Sequence, residues 1–410
     1  MAMQQADNFI AILRTACGNG QRPLQAPDWR QLADWARSQS LTALFYTGAS
    51  RYAEFQACDA AERARLQRET ITTVAAQAQR TRRFWEAYQS MLAAGFRPLV
   101  LKGIVCRSLY GDLADYRPSC DEDFYLPPEQ VEKCRTTLEQ SGWQLTSHAA
   151  SLTQADQLQE IAFDDTTGVL HLELHPTLFG TNRPDLLQAT NWFYGAQKRA
   201  VPMSLSGQTL YTLHPTDHYL YLFLHLAKHF RGKGVGVRQV MDLAKFQAAY
   251  RQDINWNTVH KAVGQLSSPE LYNDAMSIAR KLGFAAEGTG PGVDPQKLLL
   301  DSLEGGIYGH DRAGNDTGVL INAALQYPGI TQRVRRLFFP SAEQLFESRP
   351  YLVKKPWLLP AAWLDRFRKL GKRGFGRETR ASLASANKHA RLLDAYGLIP
   401  GRRKRSSPRR

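Results

Sequence analysis

The stretch Arg117-Pro-Ser-Cys-Asp-Glu-Asp-Phe-Tyr-Leu126 is the most informative part of the chain, because it sets two carboxylates one residue apart. The aromatic and apolar residues after Asp121 and Asp123 predict a β-strand. Side chains two positions apart on a strand share one face, roughly 6.6 Å apart, and two carboxylates so placed repel each other unless a cation lies between them. Since Mg²⁺ is usually held by one or two carboxylates and by substrate phosphates, the pair predicts a metal site for phosphoryl or nucleotidyl transfer.

A third acid comes from the segment Val169-Leu-His-Leu-Glu-Leu-His175, in which apolar and polar residues alternate strictly. Such alternation predicts a half-buried strand, with the leucines towards the core and His171, Glu173 and His175 on the opposite face. Glu173 is therefore expected to complete a three-carboxylate site with the two aspartates, either as a metal ligand or as the base towards an acceptor hydroxyl. His175 is expected to orient a carboxylate or to touch the substrate.

The segment that precedes the aspartate pair predicts contacts with phosphate. A strand is expected over Phe96-Arg-Pro-Leu-Val-Leu101, and Lys102 and Gly103 then open a short helix that runs to Tyr110. A glycine at a strand-to-helix turn lets a phosphate approach the backbone, and the amino end of a helix favours anions. Lys102 would add a point charge, so both residues are assigned to nucleotide binding. Arg117 could likewise meet a phosphate, or neutralise the acids, or bond a backbone carbonyl of its own loop.

These segments together resemble a known family, the bacterial uncharacterised nucleotidyltransferases of the DNA polymerase β-like superfamily. The matching motifs are Leu101 to Gly103, Leu109 to Asp112, Arg117 to Asp123 and Leu172 to His175. The resemblance continues through His225-x-x-x-His229, Asp242 and Arg349-Pro-Tyr351, and so covers roughly residues 10 to 370.

The resemblance implies an α+β fold, in which a small mixed sheet with helices forms a polymerase β-like core flanked by N-terminal and C-terminal helical regions. It implies two aspartates on one strand and a third acid on a neighbouring strand, which hold Mg²⁺, with Mn²⁺ as an alternative. The implied activity is transfer of a nucleoside monophosphate from an NTP to an unidentified acceptor. A sugar or polysaccharide precursor, a protein hydroxyl and an RNA end all stay open as acceptors.

Two positions depart from the superfamily pattern. The usual Gly-Ser, whose hydroxyl touches the triphosphate, is Gly103-Ile104 here, and Glu122 stands between the aspartates where an apolar residue is more usual. The first departure weakens the argument for NTP binding, and the second adds a negative charge near the site. A catalytically inactive relative, in which the fold serves as a binding or scaffold module, is therefore kept as an alternative.

Residues His225 and His229 lie four apart on one face of a strongly apolar segment that predicts a helix. This spacing can bind a metal, but Leu226 occupies the place of the glutamate in His-Glu-x-x-His. Core histidines that pair with Asp242 are the favoured interpretation, and the resemblance moves them towards the wall of the site. A metal-dependent hydrolase that uses both histidines and Asp242 is the third hypothesis.

The length of 410 residues allows several domains. We expect an N-terminal helical region at 1–95, the catalytic core at 96–212, a C-terminal helical region at 213–340 and a basic, partly disordered extension at 341–410. The five cysteines include no Cys-x-x-Cys pair, and the amino terminus lacks the basic-then-apolar pattern of a secretory signal. Both features predict a cytoplasmic location.

The charge of the chain is concentrated at its end. The net charge is +14, and residues 366–410 carry fifteen Lys and Arg against two acids, so nearly all of the excess lies there. Such a tail can attract an anionic membrane surface or nucleic acid. Because Lys355 to Leu370 mixes Trp and Leu with Arg and Lys, as an interfacial helix does, peripheral binding at the inner membrane surface is slightly preferred. A solubilising tail without a partner stays open.

Overall fold

The computed structural model describes residues 1–146, 160–180, 184–232, 234–306, 339, 345, 352, 355–373 and 387–399. The motif at 349–351 and the basic end of the chain at 400–410 lie outside them. Two compact units divide the chain: Met1–Leu226 with Val237–Pro295, and Ala227–Gly236 with Gln296–Arg410.

The first unit begins with helices. They are α1 (Ala2–Ala16), α2 (Trp29–Ser38), α3 (Thr42–Ala49), a 3-10 turn (Ala53–Ala57) and the long α4 (Ala60–Ala93). The carboxylate of Asp28 accepts the Gln31 N–H and that of Asp59 accepts the Glu62 N–H, so each caps the helix that follows it. At 34 residues, α4 is about 50 Å long, long enough to run past several strands.

The described residues contain one mixed sheet of seven strands. In chain order these are β1 (Leu99–Val100), β2 (Asp121–Tyr125), β3 (Gln144–Leu145), β4 (Ile161–Asp164), β5 (His171–His175), β6 (Val201–Leu205) and β7 (Gln208–Thr212). Their spatial order is β3-β4-β5-β2-β1-β7-β6. The pairs β2–β5 and β1–β7 are parallel, and the other neighbours are antiparallel. Helices flank this small mixed sheet, which confirms the expected α+β class.

Three helices and two 3-10 turns connect the strands. They are α5 (Ile104–Ser108), a 3-10 turn (Gly111–Tyr116), α6 (Pro128–Gln140) and, after β5, α7 (Pro184–Trp192) with a 3-10 turn (Ala196–Arg199). The chain then turns helical through α8 (Pro215–Gly232), α9 (Val237–Tyr250), α10 (Trp256–Leu266) and α11 (Pro269–Lys281).

One face of the sheet is packed against α4. Phe84 and Tyr88 of α4 stack on Phe124 of β2, with ring centroids 5.8 and 6.1 Å apart. All three are fully buried, as are Leu172 and Leu174 of β5, and each such side chain contributes about 1.5–3 kcal/mol by leaving water. Because side chains alternate along a strand, this packing directs the neighbouring polar residues of β2 and β5 to the other face.

The second unit contains α12 (Pro295–Gly305), a 3-10 turn (Pro356–Leu358), α13 (Leu359–Arg373) and a helical stretch over 387–395. Within it, the buried ring of His389 bonds the Asp301 carboxylate and the Phe230 carbonyl, each at 2.8 Å. In the parts of the chain that the structure describes, every helix is too short or too polar to cross a bilayer.

Candidate active site

The parallel pairing of β2 and β5 brings acids of the two strands side by side. Asp123 is the register partner of Glu173, and Asp121 is that of His171. The cluster that could hold a metal consists of Asp123, Glu173 and His175, one ligand atom of each lying within 4.8 Å of the others. Of the three predicted carboxylates, two therefore converge. Asp121 starts the strand on the same face, half-buried, and His175 takes the third place in the cluster.

His175 lies between the two carboxylates. Its Nε2 is 3.0 Å from Asp123 Oδ1 and 3.4 Å from Glu173 Oε2. Burial lowers the pKa of this histidine, but hydrogen bonds to the two acids outweigh burial and raise its pKa to about 9. The ring is therefore a cation that donates to Asp123. Burial raises the pKa of Glu173, and its bond to His175 offsets this only in part.

Lys102 is the second cation of the cluster. Its Nζ is 2.9 Å from Asp123 Oδ1 and 3.2 Å from Nε2 of His225. Burial opposes the ionisation of Asp123, yet Lys102 and His175 together hold its pKa below the ordinary value. His225 thus lies at the wall of the site, as the resemblance suggested, whereas His229 belongs to the second unit.

One carboxylate oxygen in the cluster has no partner among the described residues. Asp123 is fully buried, and its Oδ2 accepts no hydrogen bond. Buried polar atoms are nearly always bonded, and an exception calls for an explanation such as an ion. An unbonded oxygen of Asp123 near Glu173 fits a divalent cation, because carboxylate oxygens are the usual ligands of such ions; imidazole joins them only in its neutral form.

A sequence model of a family described as "Uncharacterised nucleotidyltransferase" matches residues 25–283. This span is more than half of the chain and includes the whole acidic cluster. The chain belongs to this nucleotidyltransferase family. Comparisons with curated proteins and with solved structures give no match. The family and the mixed sheet together confirm the predicted nucleotidyltransferase core.

The backbone that follows the Lys102-Gly103 turn is hydrogen-bonded to Glu122, a contact that the sequence did not predict. Gly103 adopts φ 55° and ψ −113°, and the next backbone N–H, that of Ile104, donates to Glu122 Oε2 at 2.8 Å. A Cβ at Gly103 would lie 2.0 Å from the same oxygen. The glycine is therefore required because a carboxylate fills the space beside it.

Glu122 points away from the two aspartates. It is buried, 1% exposed, and burial raises its pKa to about 7 despite Arg107 and the Ile104 N–H, which lower it. The sequence suggested an additional charge at the nucleotidyltransferase site, but alternation along β2 places Glu122 on the face opposite Asp123. The alternation of side chains along the strand could have shown this from the sequence alone.

Arg117 and Asp242 form a buried ion pair. Nε of Arg117 donates to Asp242 Oδ1 at 3.1 Å and a terminal nitrogen donates to Oδ2, while the Tyr110 hydroxyl donates to Oδ1 at 2.9 Å. This corrects the expected pairing of Asp242 with the α8 histidines, His225 and His229. It leaves the hydrolase hypothesis without its carboxylate. The pair anchors the loop before β2 to α9, and a phosphate contact by Arg117 stays a prediction.

Two residues of α4 hold the ends of the acid-bearing strands, and sequence reasoning missed both. The Gln77 amide donates to the Ser119 carbonyl at 3.1 Å and accepts the Ser119 N–H at 3.2 Å. Arg80 donates to the Ser119 carbonyl at 2.8 Å and to the Val169 carbonyl at 3.0 Å. Ser119 and Val169 each lie two residues before a strand, so α4 fixes where β2 and β5 begin. A buried glutamine within an otherwise amphipathic helix gives no sequence signal of this role.

Proposed function

We propose that the chain is a divalent-metal-dependent nucleotidyltransferase that moves a nucleoside monophosphate from an NTP to an acceptor hydroxyl. The observation that carries the proposal is the convergence of Asp123, Glu173 and His175, together with the buried Oδ2 of Asp123 that has no hydrogen-bond partner among the described residues. Membership of the family supports transfer of a nucleotidyl group.

Asp123 and Glu173 would hold the metal, and Asp121 would reach it from the half-buried start of β2. Two or three carboxylates favour Mg²⁺ or Mn²⁺, and His175, as a cation bonded to Asp123, would orient that carboxylate. A bound cation would neutralise charge that develops on the phosphates during transfer.

The side chains around the metal would each have a separate part. Lys102 and His175 keep Asp123 ionised, because both carry a positive charge against it. Glu173 would serve either as a metal ligand or as the base that takes the proton of the attacking hydroxyl, and its raised pKa suits the second role. His225 orients Lys102 through its ring nitrogen.

The test is transfer of label from each radiolabelled NTP, with Mg²⁺ or Mn²⁺, to molecules of a cell extract. We expect label in one product with the wild type, and at least about a hundredfold less with Asp123→Asn or Glu173→Gln, since each removes a charge that acts in the transition state. Asp253→Asn is the matched control, because Asp253 is exposed. Undiminished transfer by both variants, with unchanged circular dichroism, would refute the proposal.

The labelled product also separates the acceptor classes. A small sugar or polysaccharide precursor, a protein and an RNA differ in size and in sensitivity to protease and ribonuclease. The chemical class that takes up label therefore identifies the acceptor hydroxyl.

A catalytically inactive binding or scaffold protein of the same fold is the second candidate. One observation favours it: the Ile104 N–H, which opens the turn expected to meet phosphate, is already bound by Glu122. Calorimetric titration with Mg²⁺ and each NTP distinguishes the two candidates. Binding of an NTP without any label transfer would favour the inactive module.

We further propose that the C-terminal region binds an anionic surface, in preference to nucleic acid. Its charge is strongly positive. Near this end, Trp357 and Leu364 are 72% and 63% exposed, and exposed Trp and Leu beside cations suit the membrane interface. The protein would then act in the cytoplasm, at the inner membrane surface.

A further inference from the structure

Arg238, the second residue of α9, carries a guanidinium with unused hydrogen-bond donors. One terminal nitrogen donates to the Pro118 carbonyl at 2.7 Å. Its Nε is buried and has no partner. Within the residues that the structure describes, no carboxylate forms an ion pair with Arg238.

One of the acids whose charge acts on Arg238, Asp242, is already paired with another residue. The charges that act on Arg238 include those of Arg117, Asp242 and Asp121. Both oxygens of Asp242 accept bonds from Arg117, so its charge is balanced. Burial and the like charge of Arg117 lower the pKa of Arg238. Arg238 as a whole is half-buried, and only its Nε is shown to be enclosed without a partner. A partly desolvated cation without a counter-ion costs free energy, and an anion that binds it recovers that cost.

The other groups expected to meet phosphate are bound within the protein. Lys102 contacts Asp123 and His225, Arg117 pairs with Asp242, and the Ile104 N–H is taken by Glu122. Arg238 differs from these groups because its Nε has no partner, and its bond to the Pro118 carbonyl places it beside the loop that leads to Asp121.

We propose that Arg238 forms a phosphate-binding subsite beside the acidic cluster. The planar fork of a guanidinium matches two phosphate oxygens. The subsite would take a phosphate of the triphosphate, so that α9 supplies the anion contact and β2 supplies the metal ligands. That the ligand is a nucleoside triphosphate rests on the proposed function, whereas the binding of a polyphosphate does not depend on it.

Cys120 supplies a local probe that is independent of the basic C-terminal region. It is exposed and adjoins Asp121, whereas Cys58, Cys106 and Cys134 are buried and Cys17 is partly so. It lies two residues after Pro118, whose carbonyl accepts the Arg238 bond. A polyphosphate bound at Arg238 should therefore slow alkylation of Cys120, which mass spectrometry measures residue by residue.

The experiment follows the alkylation rate of Cys120 in the full chain as inorganic tripolyphosphate is added, without divalent ions and at about 0.15 M salt to screen surface charge. We expect protection in the wild type and in Arg30→Gln, a control at an exposed arginine. Arg238→Gln should need about ten- to hundredfold more tripolyphosphate, since a hydrogen bond to a charged group contributes about 1.5–3 kcal/mol. Arg238→Lys should lie between, because it keeps the charge and loses the fork.

Thermal unfolding of the free variants separates binding from folding. Arg238→Gln loses the bond to Pro118 but also a half-buried charge without a counter-ion, so its midpoint of thermal unfolding should lie within a few degrees of the wild type. Equal protection of Cys120 in Arg238→Gln and wild type, or none in the wild type, would overturn the subsite.

Failure of the subsite and failure of the proposed function give different results. If Asp123-dependent label transfer occurs while Arg238→Gln binds tripolyphosphate normally, the subsite falls and the function stands. If protection depends on Arg238 but no NTP is used by the wild type, the subsite stands as a polyphosphate site and the function falls.

Discussion

The two carboxylate oxygens of Asp123 have different surroundings, and the difference bears on metal binding. Oδ1 accepts bonds from Lys102 and His175, whereas Oδ2 is buried and unbonded. The first arrangement keeps the acid ionised, and the second leaves an oxygen for a cation. A carboxylate that was only structural would be expected to have both oxygens bonded.

Metal binding should therefore stabilise the fold. With Mn²⁺ at a hundred times its dissociation constant, the gain is about 2.7 kcal/mol, which we expect as a higher midpoint of thermal unfolding that chelation reverses. Glu173→Gln should remove most of this gain, since it replaces one anionic ligand by a neutral amide. Asp253→Asn should keep it. An equal Mn²⁺-dependent rise in wild type and Glu173→Gln would contradict the assignment of the ligand.

Gly103→Ala tests the contact with Glu122. The new Cβ would lie 2.0 Å from Glu122 Oε2 at a positive φ, so we expect a loss of about 2–5 kcal/mol from overpacking together with backbone strain. Gly168→Ala is the matched control, because Gly168 also has positive φ (67°) but has nothing within 4 Å. Its loss should be only about 1 kcal/mol from the backbone. Urea unfolding measures both, and similar losses at the two sites would mean that Glu122 does not determine the need for glycine.

At the scale of elements, α8 is tied to the sheet through a buried histidine. His218 Nε2 donates to the Leu101 carbonyl at 2.5 Å, and Nδ1 lies 3.1 Å from the Thr212 hydroxyl. Leu101 follows β1 and Thr212 ends β7, so one ring joins the helix to two adjacent strands. The ring is completely buried, and burial lowers its pKa to about 4 although the Leu101 carbonyl opposes this.

This histidine should make stability depend on acid. The unfolded chain takes up the His218 proton near pH 6.5, whereas the folded chain takes it up near pH 4. The free energy of unfolding should therefore fall by about 3 kcal/mol as the pH drops from about 6.5 to about 4, and this contribution is constant outside that window. His218→Gln should be less stable at neutral pH but should lose less between these two values. Parallel urea-unfolding profiles for the two proteins would show that His218 is not responsible.

The contacts of α4 lead to a prediction about the beginning of β2. Gln77→Leu leaves the Ser119 N–H without its partner and removes an acceptor from Arg107. Each buried group left unbonded costs about 1–3 kcal/mol, and displacement of the strand should also lower label transfer. Gln79 lies two residues further along α4 and is exposed. Gln79→Leu should therefore change the free energy of unfolding by less than about 0.5 kcal/mol. Equal losses of unfolding free energy in the two variants would mean that Gln77 does not fix the beginning of β2.

Local patterns in the sequence predicted β2 and β5 and their faces, because alternation is a property of consecutive residues, whereas β6 and β7 were not predicted. The placement of Glu173 beside Asp123 needed the register of a parallel pair, and it agreed with the expected convergence of acids. The replacement of Asp121 by His175 in the cluster depends on the geometry of the strand ends, which alternation does not determine. The pairing of Arg117 with Asp242 joins residues 125 apart, and a single sequence contains no signal for such a contact.

At the scale of the whole molecule, the excess positive charge and the candidate site lie in different parts of the chain. The acidic cluster belongs to the first unit, whereas the excess of Lys and Arg belongs to the last 45 residues. Part of that region is folded: His389, Leu393 and Tyr396 are buried within the second unit. A deletion that tests the charge must therefore spare residues 387–399.

A chain that ends at Gly401 is the suitable variant. It loses six Lys and Arg at 402–410 and keeps the contacts of His389. Since each cation near an anionic surface contributes about 1 kcal/mol, binding to vesicles of phosphatidylcholine with 30% phosphatidylserine should weaken more than about a hundredfold. Cosedimentation measures this, with pure phosphatidylcholine vesicles and single-stranded RNA in parallel. Loss of RNA binding alone would favour the nucleic-acid alternative. Unchanged binding to both vesicles and RNA would mean that these residues serve only to keep the chain in solution. Label transfer by the same variant shows whether nucleotidyl transfer needs them.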